Sequence, residues 1–381
     1  MNGKILDLAK KIMNDFASQT GIVGGGKPRR YLWTDAFAVC NFLGLYLRRG
    51  DEKYRRLALK LVDQVHFVLG RHREDDSRRG WISGLSEEEG WKHPTIGGLR
   101  IGKRLPERKP SEPFDELLEW ERDGQYYHYL TRWMHALNRV SQVTGNPTYN
   151  LWAIELAKTA HKAFVYEAPD GRKRMYWKMS IDLSRPLVAS MGQHDPLDGF
   201  VTYNELQASA PNNPDWPNLL REIEELCREI SWVTNDPLAV GGLLWSSYFL
   251  AKLIADGHLK RTDILIEAVN ASLLGLELYL ASGATGLPAT RRLAFRELGL
   301  SIGFKAARKL NRLITAKPSL FSGGELPLLV RSLISYAWLA DEIEGFWLNP
   351  ANRKSGLWRE HEGINMVMLA TSLVPEGFLG T

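Results

Sequence analysis

The sequence predicts an all-α protein built from paired helices, on three observations. Apolar residues recur at i, i+3, i+4 and i+7 through most segments and almost nowhere alternate at period two. Cap residues with a helix-compatible first turn stand before the apolar runs, at Thr34-Asp35, Asn146-Pro147 and Asp236-Pro237. The connections alternate between short and long, as they do in an up-and-down helical array.

In chain order the periodicity predicts twelve helices, over residues 2–18, 34–48, 51–70, 124–143, 147–165, 194–210, 216–232, 237–256, 261–280, 288–311, 325–345 and 361–373. The first is a charged amphipathic segment, MNGKILDLAKKIMNDF, without the apolar core or cleavage site of a leader. The second follows a cap at Thr34, the fifth a cap at Asn146-Pro147, and the eighth a cap at Asp236-Pro237. Short links such as Arg49-Gly50, Thr144-Gly145-Asn146 and Gly257-His258 join one helix to the next. The long connections, 71–123, 167–193 and 345–360, fall at alternate positions and therefore at one end of the array. Long ordered loops usually bind or catalyse, so that end is the expected functional face.

The helices starting at 34, 124, 194, 237, 288 and 361 point their N-termini at that face, with their spare N–H groups and positive dipole ends. These six carry small and aromatic residues, such as Ala36, Ala38, Gly44, Gly241, Gly242 and Trp245, and suit an inner layer. The other six carry charged outer stripes, such as Lys53, Arg55, Arg56 and Lys60, and suit an outer layer. Pairing the first helix with the last is expected to close the array into a ring, in one domain over residues 1–381. Inner starts at unequal spacing exclude a solenoid of fixed repeat.

Composition bounds the function. The 381 residues are 44% hydrophobic and 24% charged, which excludes disordered, collagenous and coiled-coil chains. No run approaches about 18 consecutive apolar residues, so no membrane partner is expected. A net charge of +5, from 49 basic and 44 acidic residues without a one-sign block, gives no reason to expect nucleic acid. The two cysteines, Cys40 and Cys227, lie in apolar helical patterns without metal-ligand spacing, as expected of buried thiols in the cytoplasm.

The helix count, the loop asymmetry and the segments YLWTDAFAVCNFLGLY, DGQYYHYLTRWMHALNRV and GLWREHEGINMVMLA resemble the six-hairpin glycosidase-like superfamily. The resemblance implies an (α/α)6 toroid, six inner and six outer helices with a sugar-binding cavity at the inner N-termini. No specific family motif is matched.

Thirteen tryptophans are present, seven of them in or beside the long connections: Trp33, Trp81, Trp91, Trp120, Trp177, Trp347 and Trp358. Aromatic faces stack on the C–H faces of sugar rings while carboxylates and amides bind hydroxyls, so Trp-rich polar loops suit a carbohydrate cleft. Trp33, Trp91, His93, Arg100, Tyr127, Trp177 and Trp358 are the candidate binding residues. Carboxylates recur at inner-helix starts, at Asp35, Asp123, Asp195, Asp198, Asp236, Glu360 and Glu362. Glycoside hydrolysis needs an acid and a second carboxylate about 5 to 10 Å apart, and Asp35 with Asp195 is the expected pair, assisted by Asp198 and His128. Every one of these carboxylates also suits a cap or a helix dipole.

His128, His194 and His361 begin three inner helices, with Glu360 placed to orient an imidazole. Proton carriers of this kind serve sugar isomerisation or epimerisation, which enzymes resembling N-acylglucosamine 2-epimerase perform on the same fold. A toroid that only binds a glycan or a protein is the third alternative. No cofactor is expected. His194, Asp195 and Asp198 lack a second cluster, so no metal is expected either. The run Gly97 to Arg104 imitates a phosphate loop but puts Arg104 where a Ser or Thr is required. Its basic residues (Arg100, Lys103, Arg104, Arg108, Lys109) suit an anionic sugar, or a solvated loop balanced by Glu87, Glu88 and Glu89. The expected partner is a small sugar or oligosaccharide. Oligomeric state is not legible.

Overall fold

The computed structural model describes residues 2–228, 230–321 and 324–380. By contacts the chain divides into two compact units, residues 17–230 and residues 1–16 with 231–381. The opening helix α1 (Asn2–Gln19) contains the first division point.

The unit of residues 17–230 holds three helical hairpins. They are α2 (Leu32–Arg49) with α3 (Glu52–Leu69), α6 (Tyr127–Thr144) with α7 (Thr148–Phe164), and α8 (Asp195–Ser209) with α9 (Trp216–Cys227). The predicted extension of α9 to residue 232 is absent: the chain is irregular at 230–232, and residue 229 lies outside the described residues. Two hairpins turn on glycines, Gly50 (φ 68°) and Gly145 (φ 72°), because a left-handed residue closes a helix C-terminus at no steric cost. Each cap N–H returns to a carbonyl of the last turn, Tyr46 or Ser141. The side chain of Asp51 then accepts from Lys53 N–H at 3.0 Å to start α3. In the middle, α6 packs against both α2 and α8, and α2 is buried continuously from Leu32 to Leu45. That is why its sequence shows small and aromatic residues instead of a charged stripe. Cys40 on α2 and Cys227 on α9 are buried thiols.

The long connections contain structure that hydrophobic periodicity did not show. The first holds α4 (Glu87–Lys92), α5 (Glu116–Glu121) and the two-residue strand β1 (Gln125–Tyr126). The second holds the hairpin of β2 (Val165–Glu167) and β3 (Lys173–Met175), then β4 (Lys178–Met179) and β5 (Pro186–Val188). β1, β4 and β5 form an antiparallel sheet in the order β1-β4-β5, pairing Gln125 with Met179 and Tyr126 with Lys178. Two or three residues are too few for period-two alternation to register. The sheet matters for the site, because it ties the start of α6 to the connection before α8.

The other unit holds α10 (Pro237–Ala255) with α11 (Thr262–Ala281), and α12 (Ala294–Ala316), followed by α13 (Pro318–Phe321), α14 (Leu326–Ser335) and α15 (Trp338–Leu348). It ends with α16 (Gly356–Glu360), α17 (Glu362–Leu373) and α18 (Glu376–Leu379). The helix predicted at 325–345 is therefore two helices, broken at Tyr336-Ala337. That predicted from 288 starts only at 294, because Ala289–Arg291 form a 3-10 turn. α10 and α12 meet at glycines: a methyl group on Gly241 would stand 2.2 Å from the Gly299 carbonyl oxygen, so the backbones touch where only glycine fits. α10 and α11 are apolar and long enough to cross a membrane by composition, with mean hydropathies of 1.5 and 1.6. Here α10 is a core helix packed between α11 and α12.

Candidate active site

His128 is the centre of the best-formed polar and aromatic cluster in the unit of residues 17–230. It sits in the first turn of α6, immediately after the β1–β4 pairing. Gln125 on β1 is fully buried: its Oε1 accepts from Leu99 N–H at 2.8 Å and its Nε2 donates to the Ile181 carbonyl at 2.7 Å. Those bonds clamp the strand and fix where α6 begins. Four rings surround the imidazole. Tyr126 lies 5.4 Å away and nearly parallel, Tyr129 4.9 Å and edge-on, Trp33 6.1 Å and edge-on, and Trp177 6.4 Å and tilted by only 13°. Tyr31 extends the wall, its hydroxyl 2.7 Å from that of Tyr129 and its ring 5.6 Å from the Lys103 ammonium.

Asp195, the first residue of α8, faces this ring, with Oδ1 3.5 Å from His128 Nδ1. Its carboxyl is 6% exposed and the imidazole 23%, so the pair is set back from the surface with the ring open on one side. Among the described residues His128 Nδ1, Asp195 Oδ2 and Trp33 Nε1 are all buried without a hydrogen-bond partner. Buried polar atoms are normally satisfied; here Asp195 Oδ2 leaves an acceptor and Trp33 Nε1 a donor beside the imidazole. Asp198, one turn along α8, is paired with Arg132 of α6, both side chains largely buried. His194 occupies the N-cap position of α8.

Asp35, predicted to pair with Asp195, has a different place. Its Oδ1 meets buried Arg30 at 3.3 Å and its Oδ2 accepts from Tyr31 N–H at 2.9 Å. Burial pushes its carboxyl up to about 6, against the opposing pull of Arg30. Both oxygens are engaged, so Asp35 pins the chain entering α2 and offers no open carboxylate. Arg30, five residues upstream, was the unread partner.

Several predicted binding residues are structural. Tyr127 is fully buried and donates to the Tyr203 hydroxyl at 2.9 Å, a core bond between α6 and α8. Arg100 spends its guanidinium inside the fold, on Asp123 at 2.9 Å and on the carbonyls of Arg71 and Val68 at 3.0 and 2.7 Å. The basic loop is not balanced by Glu87 to Glu89, which pair with Arg71 and Lys92. Arg108 pairs with Glu119 instead. Trp91 lies on α4 and His93 caps its C-terminus; Trp91 stacks on Phe67 at 5.7 Å and His93 Nδ1 meets Glu155 of α7 at 2.6 Å. They hold α4 to the hairpins.

Trp358, Glu360 and His361 belong to the other unit. Trp358 is buried and stacks on Trp347 at 5.6 Å, whose indole N–H donates to Glu297 at 2.7 Å. Arg292 forks onto the same Glu297 at 2.7 and 2.8 Å, an ion pair at the start of α12 that the sequence reading missed. The only signal for it was a glutamate in a helix first turn. His361 lies edge-on to Phe295 at 5.4 Å, and Glu360 is exposed at the end of α16.

Among the described residues no group of three or more His, Cys, Asp or Glu is placed to hold a metal ion. A cavity of about 350 Å³ opens between the β2–β3 hairpin and α9, lined by Tyr166, Lys173, Arg174 and Leu226 among others. Two of its cations are matched, Arg174 by Asp170 at 3.0 Å and Lys173 by Glu222 at 3.5 Å.

No protein-family model matches the chain, and no curated protein matches it in sequence. Solved structures match along nearly its whole length. An α-mannanase of glycoside hydrolase family 76 from Bacteroides thetaiotaomicron has a TM-score of 0.56 at 8% identity, covering 99% of this chain and 97% of that one. An α-1,6-mannanase from Salegentibacter has a TM-score of 0.50 at 10% identity, covering 98% of both chains. Cellobiose 2-epimerase from Spirochaeta thermophila has a TM-score of 0.50 at 13% identity, covering 96% of this chain and 97% of that one. What these likenesses show is the fold: the chain is all-α and shares the (α/α)6 toroid fold of these structures.

Proposed function

We propose that this chain is a carbohydrate-active enzyme that moves protons with His128 and Asp195. The observation that carries the reading is the pairing of His128 Nδ1 with Asp195 Oδ1 at 3.5 Å, beside the buried, unsatisfied Asp195 Oδ2 and Trp33 Nε1, inside a wall of aromatic rings. Aromatic faces take the C–H side of a pyranose, and the polar atoms take its hydroxyls. The solved structures that share the fold include enzymes named for acting on sugars, which suits the same reading.

The chemistry this geometry suits best is isomerisation or epimerisation. A carboxylate on Nδ1 orients an imidazole and stabilises its protonated form, leaving Nε2 to take a proton from the carbon beside a sugar carbonyl. An enediolate results, and returning the proton to the neighbouring carbon completes an isomerisation. Asp195 is the orienting group and His128 the base. Glycoside hydrolysis is the second reading, favoured by the unsatisfied Oδ2 of Asp195, with Asp198 rather than Asp35 as the second carboxylate. The pairing of Asp198 with Arg132 weighs against it.

The two chemistries leave different products. Mannose, cellobiose and α-1,6-mannobiose are incubated with the protein in D2O and followed by NMR. Isomerisation or epimerisation puts deuterium on the carbon beside the carbonyl and releases no monosaccharide. Hydrolysis releases monosaccharide without carbon-bound deuterium. No turnover of a broad sugar panel, with binding retained, would leave a glycan-binding protein.

A further inference from the structure

Trp120 is 43% exposed on a six-residue helix. Its ring meets Trp177 edge-on at 4.8 Å, and Trp177 in turn lies nearly parallel to the His128 imidazole. The aromatic row therefore runs unbroken from the reacting centre to the surface. The helix beneath it is held unusually firmly. Glu119, the residue before Trp120, is buried and accepts from Lys178 at 2.9 Å and from Arg108 at 2.8 Å. Lys178, the residue after Trp177, is also fully buried, and its ammonium reaches the carbonyls of Glu119 and Arg122 at 2.7 and 2.9 Å. One buried ion pair thus fixes both tryptophans, each one residue along the chain from a member of the pair. Burying two charges is expensive and adds little net stability, whereas holding an exposed ring in a fixed place lowers the ordering cost of binding.

From these observations we propose that Trp120 is the outer platform of a second sugar subsite, so that the ligand is an oligosaccharide of at least two rings. The first ring lies against Trp177 and His128, and the next rests its C–H face on the exposed indole of Trp120. The proposal rests on the carbohydrate reading above. Glu119 and Lys178 are positioning residues, acting through the two tryptophans.

The test is calorimetric titration of the intact protein and of Trp120→Ala with paired sugars: mannose and α-1,6-mannobiose, glucose and cellobiose, and glucuronate and a glucuronate-containing disaccharide. Because Trp120 is half exposed, the variant is expected to melt with the wild-type protein, and near-UV circular dichroism checks its fold. The expected result is a loss of roughly ten-fold or more in disaccharide affinity, with monosaccharide affinity unchanged and Trp120→Phe close to wild type. Equal effects on both members of a pair, or no effect, would overturn the subsite while leaving the carbohydrate reading in place. So would sedimentation showing that Trp120→Ala instead dissolves a self-associated form. Binding of none of these sugars by the intact protein would overturn both.

Discussion

Asp35 shows how far a residue's role depends on a partner that spacing does not reveal. As a carboxylate in the first turn of an inner helix it is indistinguishable in sequence from Asp195, yet Arg30 and Tyr31 N–H take both its oxygens. Removing one member of a buried pair strands the other charge, so Asp35→Ala is expected to lose about 3–5 kcal/mol in urea unfolding. Replacing both partners, Arg30→Met with Asp35→Leu, is expected to recover most of that loss. The folded carboxyl titrates at about 6, against an ordinary 3.8. The folded state thus holds a proton that the unfolded chain releases first. Stability from this group is full below about pH 4 and is lost as pH rises through 6. Urea midpoints between pH 4 and 7 should show that slope flattened in Asp35→Asn. Asp195 differs because α6 brings an imidazole nitrogen within 3.5 Å of its Oδ1, a pairing across 67 residues of chain.

At the scale of elements, His66 joins one hairpin to the next. It lies buried on α3 and its Nε2 accepts from the Trp133 indole N–H of α6 at 3.1 Å. Burial lowers its pKa from 6.5 to about 3, so the folded state refuses a proton that the unfolded chain binds. The stability it contributes is present above pH 6.5 and declines as pH falls towards 3. Between pH 6.5 and 5 the decline should be about 2 kcal/mol, and His66→Gln, which keeps an acceptor for Trp133, should remove most of it in urea titrations. In the other unit the contact of α10 with α12 depends on Gly241, and Gly241→Ala should cost about 1–3 kcal/mol through forced separation of the backbones. Nine of the twelve predicted helices correspond closely to single helices, because each long amphipathic or fully apolar run carries many positions of one periodicity, while the one expected at 216–232 stops at Cys227. The helix expected at 325–345 is divided, and that expected at 288–311 is displaced towards the C-terminus. The connections were not legible. β1, β4 and α5 are short, and what orders them is the Lys178–Glu119 pair and the Gln125 clamp, contacts between residues far apart in sequence.

For the whole molecule, helix periodicity and loop asymmetry were enough to reach the (α/α)6 class, which the likeness to solved toroid enzymes shows. The chemistry was legible only as a list of residue types at helix starts; the structure brings His128 and Asp195 together within one unit and engages Asp35, Tyr127 and Arg100 in buried contacts. Under the proposed function, His128 and Asp195 act as one proton-transferring pair. The decisive experiment is turnover by wild type, His128→Gln, Asp195→Asn and the double variant on whichever sugar the NMR assay identifies. Each single variant should lose roughly 10²–10⁴-fold in kcat while remaining folded by circular dichroism. The double variant should be little worse than either, since groups acting as a unit are not additive. Single variants that retain wild-type turnover, or losses that multiply as though the two residues acted independently, would contradict it.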